Sequence, residues 1–426
     1  MTSATSEKTL DRSFPGESPV LVREAVQVFL LAILLIAPML EDAVPLCSYI
    51  DELAAIALVA WGLLKKDKMR FSGIELFGIF AIVALLVIGF ISNFAYGYQS
   101  NVFAIFVDAF TCFKLFAAYY GALQVVHGEA RVLSIAAALS KLFILIASVF
   151  YLFHLSGIIP MGSDRHIMGI ACYQFTFGYP TELAAYCVGV SALLMIDGRK
   201  NKIWIILDFL LMISTMRAKA VGVAFVVAFF LLRSLFTKGD KGPSALLYLL
   251  LVVGVLCLGA DQMQFYFGDT ASARYLLYST SFQIALSTFP FGAGFATFAS
   301  NMSGVFYSPL YYQYGLSTVW GLSPSYYAFT SDAFWPALFG QFGFIGFLLF
   351  VGLICSFLYS FVSRSKKRGV PVGAYAVIPI YYLILSTSDA AFFNFYGPFY
   401  ALVMAIVASA SCTKLKPESR DCTIER

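Results

Sequence analysis

The stretch that decides the fold runs from residue 65 to residue 94. A basic hexapeptide, Lys65-Lys66-Asp67-Lys68-Met69-Arg70, is followed after Phe71 by SGIELFGIFAIVALLVIGFISNF over residues 72–94, in which Glu75 is the only charge. Such a run exceeds the ~20 residues an α-helix needs to cross a hydrocarbon core of about 30 Å. Lipid offers the backbone no hydrogen-bond partner, so the run closes its own hydrogen bonds and is a helix. The lysines and arginine at its head mark the cytoplasmic side.

The pattern repeats along the whole chain. Apolar runs at 25–40, 45–64, 72–94, 101–126, 132–154, 181–196, 203–215, 218–236, 244–260, 333–362, 371–388 and 394–411 predict an all-α, polytopic membrane protein of about twelve transmembrane helices. The 426 residues are 60% hydrophobic and 12% charged, with a mean hydropathy of +0.82. A soluble domain carries roughly 25% charge, so this chain lacks the polar groups to cover itself in water. Soluble enzymes, nucleic-acid binders and secreted disulfide modules are excluded.

Charge placement orients the bundle. The loops Lys65–Arg70, Asp197–Lys202, Lys238–Lys241 and Arg364–Arg368, with both tails, Arg131 and Arg233, hold 22 of the 28 Lys and Arg. Both termini are therefore expected in the cytoplasm. Tails 1–24 and 412–426 would flank a single transmembrane domain, 25–411. The first 23 residues are polar and lack a cleavable signal pattern, which leaves targeting to the first span. The outward loops are unequal, one covering about 155–180 and a large one 261–332. The latter is rich in Tyr, Phe, Gly and Ser, as in Tyr307-Ser308-Pro309-Leu310-Tyr311-Tyr312. A mere linker is polar and poor in aromatics, so this loop is expected to fold onto the membrane interface or a glycan. Of the eight Cys, Cys112, Cys187, Cys257 and Cys355 fall in apolar runs and read as small hydrophobes. Cys47 and Cys172 lie toward the outer side, where a disulfide is open to them.

The charges that topology disfavours are the candidates for chemistry. Arg217 and Lys219 sit in the tight outward turn Ser214-Thr215-Met216-Arg217-Ala218-Lys219, and Arg274 follows the ninth span. A guanidinium is a planar fork of donors that fits phosphate oxygens, so the pair Arg217 and Arg274 suits a lipid-linked diphosphate at the outer surface; the bland alternative is snorkelling to headgroups. Asp164-Arg165-His166 in the smaller loop offers an anion contact at Arg165 and a base at His166, or simply a solvated turn. Asp332 opens the tenth span, either as a helix cap or as a carboxylate base. Asp108, Lys114 and Asp208 lie within spans, as structural pairs or as proton-relay sites. His127 and His154 read as interfacial, and Asn301-Met302-Ser303 matches a glycosylation acceptor, a motif common by chance. Three scattered His and no carboxylate cluster fall short of a metal-ligand set, and no cofactor is implied.

The order of these motifs resembles that of the O-antigen polymerase and O-antigen ligase family of bacterial surface-polysaccharide enzymes. Four features carry the resemblance: the twelve-span plan with a large outer loop between spans nine and ten; the turn Thr215-Met216-Arg217; Arg274 followed by Pro290-Phe291-Gly292-Ala293-Gly294; and Asp332 ahead of Gly343-Phe344-Ile345-Gly346. The segment Gly162 to Glu182 is similar to the loop before the family's sixth span. The resemblance implies an inverting, metal-independent glycosyltransferase of the membrane-embedded C-type. Its substrates would be undecaprenyl-diphosphate-linked oligosaccharides at the outer face of the bacterial cytoplasmic membrane, with a chain-length regulator as a further partner. By that resemblance Arg217 and Arg274 would bind the donor diphosphate and Arg165 would be an accessory contact; Lys219 is a further diphosphate-binding candidate by its position alone. Ligases carry a His just before the tenth span, where this chain has Thr330-Ser331-Asp332 and no His after His166. A polymerase is therefore favoured over a ligase, and the base lies between Asp332 and His166.

Overall fold

A computed structural model describes residues 19–41, 43–65, 69, 71–167, 169–236, 268 and 270–411. The expected ninth span 244–260, both tails beyond these limits, and Lys66, Lys68, Arg70, Lys238 and Lys241 lie outside the described residues.

The chain is helical almost throughout. Helices, numbered over the described residues, are α1 (Pro19–Ile36), α2 (Ile50–Leu64), α3 (Gly73–Tyr96), α4 (Val102–Val125), α5 (Ala130–Leu155), α6 (Pro180–Leu194), α7 (Lys202–Ser214) and α8 (Ala218–Phe236). There follow α9 (Ala273–Ser287), the short α10 (Asn301–Val305) and α11 (Pro309–Gln313), then α12 (Phe334–Lys367), α13 (Val372–Leu385) and α14 (Gly397–Ser409). Among the described residues eight helices are long and apolar enough to cross a membrane, so the protein is a multi-pass membrane protein. Helices α7, α13 and α14 have 13, 14 and 13 residues. At 1.5 Å per residue each spans only about 20 Å, short of the expected crossing.

The all-α expectation needs one amendment. The smaller loop folds as a hairpin of β1 (Gly162–Ile167) and β2 (Ile170–Tyr173), antiparallel with His166 opposite Ala171. Cys47 and Cys172 are both free thiols, Cys172 fully buried, so the disulfide is absent.

Helix α4 is the hub, packing on α2 and α14, while α12 packs along α3 and α9. A bidentate pair with a buried carboxylate and a partly exposed guanidinium locks α3 to α12: Arg364 donates from Nε to Glu75 Oε1 at 2.5 Å and from Nη2 to Oε2 at 2.7 Å. Ser360 and the backbone N–H of Ser72 add further donors to the same carboxylate. Charge inside lipid persists where it is paired and fully bonded. Lys114 follows the same rule, reaching Asp51 at 2.5 Å and Glu52 at 3.7 Å.

The break in α12 positions the large loop. Gly343 has φ +62° inside that helix, and the carbonyls of Gly340 and Gln341 turn to the loop, accepting from Ala293 N and Gly294 N at 2.9 Å each. Asn93 clamps Phe295 from both sides, donating to its O at 2.9 Å and accepting from its N at 2.7 Å. Asp108 accepts from Ala296 N at 2.7 Å, and Gln341 donates to Phe298 O at 2.9 Å. Non-helical backbone survives at this depth because protein groups replace the missing water. Asp108 is thus a loop anchor. Beyond this point the loop builds a small core of its own around Leu277, Phe298, Leu310, Tyr311 and Leu322.

Candidate functional site

Arg217 is aimed by a strained turn. Helix α7 stops at Ser214, Met216 takes φ +51°, and the Arg217 carbonyl accepts from Val221 N to begin α8. A left-handed β-unbranched residue costs roughly 1–3 kcal/mol and is held only where its surroundings over-determine it. Lys219 occupies the first turn of the same helix. Arg274 lies in the first turn of α9, whose N-terminus Ser272 caps by accepting from Tyr275 N at 3.3 Å. Two helix N-termini, each carrying partial positive charge, therefore present three cationic side chains.

The structure brings these together. Arg274 Nη2 donates to Asp332 Oδ2 at 3.1 Å. Lys219 Nζ donates to the carbonyl of Ser388 at 2.9 Å and stands 3.8 Å from Asp389 Oδ2. Arg217, Arg274, Asp332 and Asp389 all act electrostatically on Lys219, which places the five groups around one locus. All five are partly rather than fully buried. Burial pushes the Asp332 carboxyl above its ordinary range, and neighbouring Arg274 opposes that rise.

Asp332 does not cap α12: the capping position is Ala333, without a side-chain hydrogen bond. Its carboxylate is committed sideways to Arg274. Arg165 and His166 lie elsewhere, both exposed on β1, where His166 Nδ1 meets its own loop at Asp164 O, 3.0 Å away. Among the described residues neither contacts Arg217, Lys219, Arg274 or Asp332. His127 and His154 serve helix ends, bonding Val125 O and Met161 N. Asp208 takes the hydroxyl of Ser191 at 2.5 Å inside the bundle. In the glycosylation motif Asn301 is exposed, while Ser303 is fully buried and held by its own hydrogen bonds.

Asp389 is the member of the cluster that sequence reasoning missed. It stands in Ser386-Thr387-Ser388-Asp389, a short connection between α13 and α14. The available signal was topological: an acid in the outer link of two apolar runs, on the same face as Arg217 and Arg274.

No family model matches the chain, and no curated protein matches it in sequence.

Proposed function

We propose that the protein is a polysaccharide polymerase, a glycosyltransferase that moves a growing glycan from undecaprenyl diphosphate to a lipid-linked repeat unit at the outer face of the bacterial cytoplasmic membrane. The observation that carries this reading is the convergence of Arg217, Lys219 and Arg274 on one locus at the ends of two helices, with Asp332 and Asp389 as their resident counter-ions.

Such a site suits a diphosphate. Two negative phosphates would compete with Asp332 and Asp389 for the cations, and guanidinium forks bind phosphate oxygens in pairs. In the transfer, the acceptor hydroxyl oxygen bonds to the anomeric carbon as the bond from that carbon to the diphosphate oxygen breaks. The electron pair leaves with the diphosphate, whose growing charge the preorganised cations stabilise. The hydroxyl proton passes to a carboxylate, and Asp332, released from Arg274 by the incoming phosphate, is the base within the cluster. The outer loop adds a sugar-binding surface: Trp320 is 70% exposed and meets Tyr326 and Phe329 at ring-centroid distances of 5.2 and 5.0 Å.

The test is deletion in the host followed by glycan analysis. Single repeat units accumulating on the outer-face lipid carrier, without long polymer, are expected. Repeats trapped on the cytoplasmic side would identify a flippase instead, and unattached full-length polymer a ligase.

A further inference from the structure

A second polar site lies in a cavity of about 210 Å³ that none of the five clustered charges lines. Its walls include the carboxylates of Glu41, Asp51 and Glu182, the ring of Tyr186, and apolar surface from Leu34 and Phe395. The charge here is reversed. Asp51 is engaged by Lys114 at 2.5 Å, and Glu182 accepts from Gly178 N at 3.1 Å. Glu41 makes no hydrogen bond or ion pair among the described residues, so two carboxylates face the cavity without a cation of their own.

Tyr186 supplies an independent sign of a ligand. The residue is 1% exposed, yet among the described residues its hydroxyl has no hydrogen-bond partner. That hydroxyl lies within the fields of Asp51, Glu182 and Glu41, and its ring is fixed between Phe177 and Phe399 at centroid distances of 5.0 and 4.8 Å. Tyr186 lines the cavity, so its hydroxyl is available to a ligand there and lies where the carboxylates gather. A primary ammonium answers all of these groups at once, with three N–H donors for three acceptors. The volume exceeds what a bare ion fills, and the apolar walls suit a ligand with an organic body.

We propose that this cavity binds a primary ammonium group, held by Glu41, Glu182 and the Tyr186 hydroxyl. Two sources carry that chemistry at a membrane surface: an ethanolamine headgroup and an amino sugar. The site stands independently of the diphosphate reading, because it is defined by binding alone.

The experiment uses the purified full chain. In one arm, native mass spectrometry counts retained phosphatidylethanolamine against phosphatidylcholine of the same acyl chains, a headgroup without N–H donors. In the other, thermal shift compares glucosamine with N-acetylglucosamine. A preference of about fivefold for the free amine in either arm is expected, and the arm that responds names the source. The preference should vanish in Glu182→Gln and in Tyr186→Phe. Glu41→Gln, on an exposed turn, carries the same expectation should the buried variants fail to fold. Parity in both arms for the native chain, or a preference that all folded variants retain, overturns the proposal. Neither readout involves glycan transfer, so failure here leaves the polymerase reading standing.

Discussion

Arg274 and Asp332, 58 residues apart in the chain, meet at 3.1 Å across the mouth of the helical bundle. The pair ties the first turn of α9 to the residue just ahead of α12, and it gives the cationic cluster a resident carboxylate.

On the proposed function, glycan transfer should follow the ionisation of Asp332. Burial raises that carboxyl, with Arg274 lowering it in part. A base must be deprotonated, so the rate should climb as pH rises through a value above the ordinary carboxylate range. Arg274→Lys keeps a positive charge but loses the fork, which should move the acidic limb to higher pH. Asp332→Asn should abolish the limb and lower turnover by roughly 10²-fold or more. Both are checked by pH–rate profiles of polymer formation from purified lipid-linked repeats.

Arg217→Ala and Arg274→Ala should each cost about 10²–10³ in transfer rate with little change in folding, since each removes one preorganised donor from the leaving group. Polymer length on gels reports the effect in the host, with protein level in the membrane as the control. Full-length polymer in both variants would refute the assigned site.

Close backbone packing at Gly292 and Gly343 leaves no room for a side chain. A Cβ on Gly292 would lie 2.4 Å from Gly343 N, and one on Gly343 would lie 2.5 Å from Gly292 N; both residues also hold positive φ, +78° and +62°. Alanine at either position should destabilise the protein by about 1–3 kcal/mol, read as a lower melting temperature in detergent. Alanine at Gly97, where nothing lies within 4 Å of the added atom, bears only the cost of its φ of +63° and should be the milder change.

The pair between Glu75 and Arg364 should be worth more to lose by halves than whole. Glu75 is 1% exposed and bonded by Arg364 through two nitrogens. Arg364→Ala leaves its charge buried and should cost about 3–5 kcal/mol, whereas the double change Glu75→Leu with Arg364→Met should recover most of that loss. Thermal unfolding of the three variants gives the answer directly.

The long spans were legible because lipid solvation is a local property. Each residue of 72–94 contributes to the transfer free energy whatever its distant neighbours do, and the observed α3, Gly73–Tyr96, lies within two residues of the expected ends. The runs 371–388 and 394–411 exceed the observed α13 and α14, because hydropathy counts apolar residues and does not see where a neighbouring turn ends the helix. The run 203–215, by contrast, matches α7 to one residue at each end. Arg217, Lys219 and Arg274 could be singled out as cations on the disfavoured face, since that argument too needs only position along the chain.

Which charges meet is another matter. Asp332 reads as a cap because a lone acid before a helix ordinarily is one, and only the approach of α9 shows it paired with Arg274. Asp389 joins Lys219 from 170 positions away, and Tyr186 and Glu41 line one cavity from distant parts of the chain. What the sequence determined by itself was membrane residence, the placing of the long helices and the uneven spread of charge. What the tertiary structure decided was the company each charge keeps, because Coulomb and hydrogen-bond energies depend on distances that packing alone sets.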